Sequence, residues 1–331
     1  MRIAVFSSRK FDEQFLSEAF QGSKHHLEFF ETRLHSGTVG LATGFDGVCV
    51  FVNDSLDAPV IRNLSESSCR MIALRCAGFN NVNLKAAEEA GIAVVHVPEY
   101  SPHAVAEHTF GIILCLNRKI HRAYQRVRDG NFALDGLLGF DLKGRTLGIV
   151  GTGRIGRAAA QIGAGFGCNV LLHDPFPNED ASQFGTYTDL EQLLSSSDIV
   201  SLHCPLTPET QHLIDANAIE IMRPGVMLIN TSRGALVDSK ALIGGLKSGK
   251  IGTLGLDVYE EEADLFFEDR SSEILQDDVF TRLLTFPNVL ITSHQAFFTA
   301  DALQQIAAAT KSSVDQCAAG EPISLLVPRP K

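Results

Sequence analysis

The chain has 331 residues, of which 45% are hydrophobic and 20% charged, and its formal net charge is −11. These values are typical of a globular protein with two domains of ordinary size, and they exclude a largely disordered chain. The negative charge argues against a general binder of nucleic acid or of anionic membranes, because no large basic field offsets it. No apolar stretch is long enough to span a bilayer, and the first residues resemble a strand more than a signal peptide.

The cysteine and histidine patterns indicate the compartment and argue against a metal site. Seven cysteines are scattered along the chain without a CxxC pair, and the histidines show no metal-ligand spacing. Such cysteine usage is typical of a reducing compartment. We therefore expect a cytoplasmic protein that binds no metal.

Short β-rich runs alternate with helical stretches almost from end to end, which predicts an α/β protein with parallel sheets. In the first hundred residues the predicted strands are 2–6, 27–31, 48–52, 71–74 and 93–97, and the predicted helices are 11–20 and 84–90. A single long helix is predicted from about Ser101 to Arg128, with an apolar stripe and a basic second half that suits a solvated or subunit-facing surface.

A second α/β series follows this helix. Its predicted strands are 146–150, 169–172, 199–203, 226–230, 253–257 and 289–292. The glycine-containing stretch 118–143 between the two series is the part of the chain most like a boundary. The fold predicted from these elements is α/β, with two Rossmann-like or flavodoxin-like lobes that have parallel sheets and a cleft between them.

A dinucleotide-binding turn follows the first strand of the second series. Gly151, Gly153 and Gly156 form G-x-G-x-x-G between a strand and a helix, which is the context that the motif requires. The first glycine permits the tight turn, the second lets a pyrophosphate approach, and the third lets helix and strand pack closely. Asp174 ends the next strand, about 20 residues on, where a carboxylate accepts hydrogen bonds from ribose and repels a 2′-phosphate. The sequence therefore predicts NAD rather than NADP.

Polar segments also follow three later strands, at residues 230–234, 257–262 and 293–297. Together they offer an arginine, several carboxylates and a histidine. An arginine can hold the carboxylate of a 2-oxo acid, and a histidine beside a carboxylate can donate a proton to its carbonyl oxygen. Spacing does not choose among the three consecutive glutamates, Glu260, Glu261 and Glu262. A structural salt bridge is the competing explanation for Arg233.

Several ordered motifs resemble the D-2-hydroxyacid dehydrogenase family. They are residues 75–82, 97–102, 105–108, the dinucleotide turn, 202–207, 231–234 and 294–297. The resemblance covers essentially the whole chain. It implies an NAD-dependent enzyme in which residues 1–100 and 298–331 form the substrate (catalytic) domain and residues 101–297 form the NAD-binding Rossmann domain. Residues 100–102 and 264–280 are most similar to the branch that acts on pyruvate and D-lactate.

The resemblance also implies residue roles. Arg233 would bind and polarise the substrate, His294 would be the acid–base group, and Glu262 would be its carboxylate partner. The implied substrate-binding residues are Ala77, Gly78, Tyr100 and Phe297, although Tyr100 could merely pack at a hinge. The implied cofactor contacts, besides the three glycines, are Arg154, Ile155, Asp174, Cys204, Pro205, Thr231 and Asp257.

Two alternatives to this function stay open from the sequence. The substrate could instead be hydroxypyruvate, glyoxylate or 2-oxoisocaproate, since relatives act on several such acids. The same fold also serves as an NAD-sensing module in co-repressors, although the complete Arg/Glu/His set disfavours that function. The family commonly forms dimers through its nucleotide-binding lobe, so we expect a homodimer or homotetramer.

Overall fold

The computed structural model describes residues 1–98, 100–262 and 265–327. Glu99, Ala263, Asp264 and the last four residues lie outside this description, and Glu99 and Asp264 belong to segments on which the family resemblance rests. The chain divides into two compact units, the first of Met1–Ser101 with Phe298–Lys331 and the second of Pro102–Phe297. The stretch 118–143 lies inside the second unit, so its glycines do not mark the boundary that their spacing suggested.

Unit 1 is built on one parallel sheet, which has five strands within the described ranges. In chain order they are β1 (Arg2–Val5), β2 (His26–Phe29), β3 (Gly47–Val50), β4 (Met71–Leu74) and β5 (Ala93–Val95). Their order in the sheet is β2-β1-β3-β4-β5, which is the flavodoxin-like arrangement. The helices of this unit are α1 (Lys10–Phe20), α2 (Ala58–Glu66), α3 (Leu84–Glu89) and the last helix, α12 (Ala300–Ala319).

Helices cover both faces of this sheet, so successive strand side chains, which point to opposite faces, are buried in two different cores. Ile3 and Val5 belong to the core that includes residues of α1 and α12, whereas Ala4 belongs to the core that includes residues of α2 and α3. The inner strands β3 and β4 are buried at every position, which is the pattern expected when helices cover both faces of a parallel sheet. The near-continuous apolar runs of the sequence therefore have a direct structural cause.

Unit 2 contains a second parallel sheet, with seven strands in the part of the chain that the structure describes. They are β6 (Thr146–Val150), β7 (Asn169–His173), β8 (Thr186–Tyr187), β9 (Ile199–Leu202), β10 (Val226–Asn230), β11 (Ile251–Leu256) and β12 (Val289–Ile291). The helices are α4 (Pro102–Arg118), α5 (Ile120–Arg128), α6 (Arg154–Gly165), α7 (Glu179–Ser182), α8 (Leu190–Ser196), α9 (Ala216–Ile221), α10 (Ser239–Ser248) and α11 (Asp278–Leu284).

The strand order β12-β11-β10-β9-β6-β7-β8 reverses direction between β6 and β9. In an open parallel sheet, ligands bind beside the carboxyl ends of the strands at such a switch point. Leu147 and Ile149 of β6 pack in the core with α4 and α6, whereas Val150 packs in the core on the other face. The dinucleotide turn thus begins from a strand that is rigidly buried on both sides.

The helix predicted from Ser101 to Arg128 is in fact two helices. α4 ends at Arg118, Lys119 has a left-handed backbone with φ of 50°, and α5 begins at Ile120. The Lys119 side chain donates to the Leu138 carbonyl oxygen at 2.6 Å, so the break is held by the following loop. Among the described residues, no helix is both long and apolar enough to cross a membrane. The prediction of two Rossmann-like lobes with parallel sheets is confirmed.

Candidate active site

The turn after β6 leaves its backbone accessible. Gly151 has φ of 92°, and a Cβ there would lie 2.5 Å from the Cys204 backbone nitrogen. A Cβ on Gly156 would collide with the Gly151 carbonyl oxygen, whereas one on Gly153 would meet no described atom within 4 Å. Gly153 is the N-cap of α6, so free N–H groups and the positive end of the helix dipole face this open space. The turn fits a pyrophosphate.

The Asp174 carboxylate stands at the end of β7, beside this turn. Its Oδ2 accepts hydrogen bonds from Thr152 N at 2.7 Å and from Thr152 Oγ1 at 3.1 Å, and its Oδ1 accepts one from Phe176 N at 2.9 Å. These bonds fix the carboxylate next to the dinucleotide turn. Because residues 175–178 contain no basic side chain, nothing in this loop would neutralise a 2′-phosphate, and the arrangement fits NAD.

The loop after β10 carries Arg233. Its shape is fixed by Asn230, whose side-chain NH₂ donates to the Arg233 carbonyl oxygen at 2.8 Å and whose Oδ1 accepts from Ser232 N at 3.0 Å. Ser232 Oγ also donates to the Cys204 carbonyl oxygen at 2.7 Å, which ties this loop to the loop after β9. The half-buried guanidinium of Arg233 donates to the Ser232 carbonyl oxygen. No acidic partner is shown for it among the described contacts.

Gly234 brings the Arg233 loop against the loop after β11. A Cβ on Gly234 would collide with the Tyr259 carbonyl group and crowd the Glu260 nitrogen. Since β10 and β11 are parallel neighbours, their carboxyl ends meet at one edge of the sheet, and β12 lies next to β11 at the same edge. Arg233, Glu262 and His294 therefore follow three adjacent strands.

His294 and Glu262 form a hydrogen-bonded pair in this row. His294 Nδ1 lies 2.8 Å from Glu262 Oε1, and the two side chains are 18% and 22% exposed. Glu262 Oε2 accepts from Tyr259 N at 2.9 Å, which orients the carboxylate toward the ring. A carboxylate only accepts hydrogen bonds, so Nδ1 carries the proton, and Nε2 is the nitrogen left for exchange with a substrate. The centroid of the Phe267 ring lies 5.7 Å from that of the imidazole, with the two rings tilted by 40°.

Asp257, at the end of β11, holds the loop that carries His294. Its side chain is wholly buried, and its backbone oxygen accepts from His294 N at 2.7 Å. The groups that donate to its carboxylate are Thr292 Oγ1, Gln295 N and Ala296 N, with the His108 ring 3.4 Å away. Burial alone would raise the pKa of Asp257, but the hydrogen bonds from His108, Thr292 and the loop N–H groups outweigh burial and lower it. The structure thus gives Asp257 a positioning role, and its role as a cofactor contact stays a prediction.

The three consecutive glutamates have different surroundings. Glu260 pairs with His212 at 2.6 Å and accepts from Ser239 Oγ at 3.0 Å. Glu261 is exposed. Glu262 is the one in contact with the histidine after β12. Sequence spacing could not separate them, because the choice depends on how the loop turns after Asp257.

The predicted substrate residues Ala77, Gly78 and Tyr100 belong to unit 1. The loop after β4 is held by His96, whose Nδ1 lies 2.8 Å from the Ala77 carbonyl oxygen. Arg75, immediately before this loop, is buried and donates to Asp12 and to backbone oxygens at the ends of β1 and β3. This loop is therefore rigidly attached to its own sheet. The substrate-binding roles of these residues remain predictions.

The other predicted cofactor residues border the dinucleotide turn or the loops beside it. Arg154 and Ile155 begin α6, and Thr231 bonds through its hydroxyl to Thr109 of α4 at 2.9 Å. Cys204 is buried and its thiol pKa is raised to about 11 by burial, while Pro205 is exposed. Phe297, predicted as an apolar wall, is 7% exposed. No group of three metal-ligating side chains occurs within the described ranges.

Comparison with known proteins decides the family. Residues 110–296, more than half of the chain, match the family described as D-isomer specific 2-hydroxyacid dehydrogenase, NAD binding domain.

The chain belongs to the D-isomer specific 2-hydroxyacid dehydrogenase family.

The chain is also similar over its whole length to individual members of this family. D-lactate dehydrogenase of Escherichia coli (strain K12) is 52% identical over 322 residues, which are 97% of this chain and 98% of that protein. A structure solved in identifying the pyruvate reductase of Chlamydomonas reinhardtii has a TM-score of 0.94 at 44% identity and covers 98% of both chains. D-lactate dehydrogenase with NAD+ from Lactobacillus jensenii has a TM-score of 0.84 at 30% identity, covering 99% of this chain and 100% of that chain.

The family assignment and the NAD cofactor inferred from the sequence are therefore confirmed. This dehydrogenase uses NAD, and the glycine turn with its neighbouring carboxylate fits that cofactor. Sequence reasoning missed the residues that brace the site, above all Thr152, Tyr187 and His212. Thr152 could have been noticed as a hydroxyl-bearing residue between two glycines of the motif, whereas Tyr187 and His212 give no local signal.

Proposed function

We propose that the chain is a D-lactate dehydrogenase that reduces pyruvate to D-lactate reversibly with NADH. The observation that carries the proposal is the His294–Glu262 pair at the sheet edge that also carries Arg233. Arg233 follows β10, Glu262 follows its neighbour β11, and His294 follows β12, the next strand along. An acid–base group and a guanidinium that has no acidic partner among the described residues, both at one sheet edge, suit a 2-oxo acid. The Escherichia coli relative is a D-lactate dehydrogenase and the Chlamydomonas reinhardtii structure is that of a pyruvate reductase, and both support pyruvate as the substrate.

In the proposed mechanism, Arg233 binds the substrate carboxylate and polarises the keto oxygen. Bound NADH supplies the hydride. His294 donates its Nε2 proton to the keto oxygen, and the Glu262 carboxylate stabilises the imidazolium before transfer and holds the ring orientation through Nδ1. Tyr259 N–H and the Asp257 backbone oxygen keep this pair in place. In the oxidation of D-lactate, neutral His294 accepts the hydroxyl proton instead.

The remaining predicted contacts complete the proposal. Backbone N–H groups of Ala77 and Gly78 and the Tyr100 hydroxyl would bind the substrate carboxylate, and Phe297 would pack against its methyl group. Arg154, Ile155 and Asp174 would contact the cofactor phosphates and ribose, and the residues near the nicotinamide half would be Cys204, Pro205, Thr231 and Asp257. A rigid loop at Ala77 supports its part of this proposal, because preorganised N–H groups bind anions without a reordering cost.

The competing functions are separated by a substrate series. Rates of NADH oxidation should be measured with pyruvate, hydroxypyruvate, glyoxylate and 2-oxoisocaproate, with NADPH as the matched cofactor control. We expect the highest kcat/KM with pyruvate and NADH. A higher kcat/KM with another of these acids would refute pyruvate as the substrate and identify that acid instead. Tight NADH binding without turnover of any of them would favour the NAD-sensing function.

We also propose that the enzyme is a homodimer or homotetramer. The helix α5 and the loop after it expose large apolar side chains, and these are Ile120, Val127, Phe132, Leu134 and Leu138. Contiguous apolar exposure is rare on monomers and common at subunit interfaces. Sedimentation of the wild-type chain should give a multiple of 35.9 kDa, and Leu138→Glu should weaken that assembly. A monomeric wild type at micromolar concentration would refute this part.

The cytoplasm is the compartment we propose. All seven cysteines are free thiols in the structure. Burial raises the thiol pKa of Cys49, Cys69 and Cys204 above its ordinary value. Buried neutral thiols suit a reducing compartment. Localisation of a tagged chain by fractionation tests the proposal directly, and recovery outside the cytoplasmic fraction would overturn it.

A further inference from the structure

A chain of hydrogen bonds reaches the Asp174 carboxylate from outside the glycine motif. Asn178 N donates to the Tyr187 hydroxyl at 2.8 Å, and the Tyr187 hydroxyl lies 2.7 Å from Thr152 Oγ1. Thr152 Oγ1 in turn lies 3.1 Å from Asp174 Oδ2. This series of hydrogen bonds therefore starts in the loop after β7, passes through β8 and ends at the carboxylate beside the dinucleotide turn.

The direction of this chain follows from the donors that its members possess. A carboxylate only accepts, so the Thr152 hydroxyl must donate its single proton to Asp174. The Thr152 oxygen is then free to accept, and the Tyr187 hydroxyl donates to it at 2.7 Å, a shorter contact than the 3.2 Å to its other acceptor, the Asn178 carbonyl oxygen. Tyr187 oxygen accepts from Asn178 N. Each hydroxyl thus donates once and accepts once, and hydrogen bonds in such a row strengthen one another.

The same bonds determine where Asp174 can still accept. A carboxylate has about four acceptor positions. Two on Oδ2 are taken by the Thr152 backbone and side chain, and one on Oδ1 is taken by Phe176 N. The carboxylate cannot rotate without breaking these bonds, so its remaining acceptor position on Oδ1 keeps one direction. A ribose hydroxyl can donate there, whereas a 2′-phosphate would meet a fixed negative charge.

We propose that Tyr187 is a positioning residue that fixes Asp174 through Thr152 and so sets the preference for NADH over NADPH. The inference rests on the part of the proposed site in which Asp174 contacts the ribose. Tyr187 does not touch the reacting atoms and takes no part in the proton transfer at His294. Its effect is therefore on cofactor affinity and cofactor choice.

The test is the dissociation constant of each cofactor, measured by calorimetry with wild type and Tyr187→Phe. The variant removes one hydroxyl and keeps the ring. We expect the Kd of NADH to rise about three- to tenfold, which is the effect of one lost hydrogen bond. The Kd of NADPH should stay the same or fall, because a carboxylate that can turn away repels the 2′-phosphate less. A parallel rise for both cofactors, or no change for either, would overturn the inference.

Kinetics give a second readout. With pyruvate saturating, KM for NADH should rise in Tyr187→Phe while kcat changes less than twofold. Thr186→Val is the matched control, since it removes an exposed hydroxyl from the neighbouring position of the same strand. It should leave both dissociation constants unchanged.

Variants at Thr152 test the connection itself. Thr152→Ser keeps the hydroxyl and should keep the wild-type ratio of the Kd of NADPH to the Kd of NADH. Thr152→Val removes the hydroxyl and should lower this ratio. Thr152→Val combined with Tyr187→Phe should lower the ratio no further than the larger single effect, because both changes break one chain of bonds. Additive effects would overturn the inference.

The binding data also separate this inference from the proposed function. A wild-type chain that prefers NADH but does not reduce pyruvate would refute the substrate assignment and leave the Tyr187 test valid. A wild-type chain that reduces pyruvate equally well with both cofactors would refute the role of Asp174 and, with it, the inference.

Discussion

Replacing Asp257 by Asn tests whether this buried carboxylate positions the catalytic loop. In wild type, Ala296 N donates to Asp257 Oδ2 at 2.9 Å. In the least harmful orientation of the variant, the Asn oxygen keeps the Thr292 and Gln295 bonds, and the Asn NH₂ faces the Ala296 N–H. One charge-assisted bond is then lost, at about 1.5–3 kcal/mol, and a buried N–H is left unsatisfied, at about 1–3 kcal/mol. We expect a loss of about 4 kcal/mol in the free energy of unfolding, or roughly 10 °C in Tm for a unit of this size.

The activity should fall as well, because the same carboxylate and the Asp257 backbone oxygen hold the loop of His294. A displacement of about 1 Å can cost about a hundredfold in rate. Thermal unfolding followed by circular dichroism measures the first effect, and kcat with pyruvate measures the second. Asp141→Asn, at an exposed position, is the control and should match wild type. An Asp257→Asn variant with unchanged Tm but weaker NADH binding would refute the positioning role and show that Asp257 acts on the cofactor.

Three further predictions concern proton transfer and pH. His294→Gln should lower kcat by at least a thousandfold while the Kd of NADH measured by calorimetry changes less than about twofold, as expected for an acid–base group; a variant with near wild-type turnover would end that assignment. Glu262→Gln should move the fall in pyruvate reduction to lower pH, because the imidazolium loses its carboxylate partner, whereas Glu261→Gln should not alter the pH–rate profile. Burial lowers the pKa of His203 from 6.5 to about 4, so the neutral ring stabilises the fold above about pH 6.5, and this stability is lost as pH falls toward 4. Wild type should therefore lose about 3 kcal/mol more than His203→Gln over that interval in denaturant titrations, and equal losses would contradict the shift.

Much of the fold could be predicted because both sheets are parallel and buried on two faces. Strand β4 at Met71–Leu74 and strand β10 at Val226–Asn230 have the predicted bounds, since their apolar runs end at polar residues. Strand β8 was missed because two residues at a sheet edge leave no periodic pattern. The break at Lys119 was missed because no glycine or proline marks it, and the loop contact that holds it is distant in sequence.

The candidate site could be predicted in part for a related reason. Residues that make contact with ligands follow strand ends directly, so the glycine turn, Asp174, Arg233 and His294 could be found from local context. The residues that brace them come from elsewhere in the chain. His212 contacts Glu260 across 48 positions, and Tyr187 contacts Thr152 across 35. Such contacts depend on how loops pack at the sheet edge, which spacing does not encode.

The most direct test of the central claim is the chirality of the product formed from pyruvate and NADH. The reaction should be run to completion with purified wild-type chain, and the lactate resolved on a chiral column, with His294→Gln as the control that shows the product to be enzymatic. We predict D-lactate in stoichiometric yield with the NADH consumed. L-lactate, a racemic mixture, or NADH oxidation without lactate would contradict the proposed function.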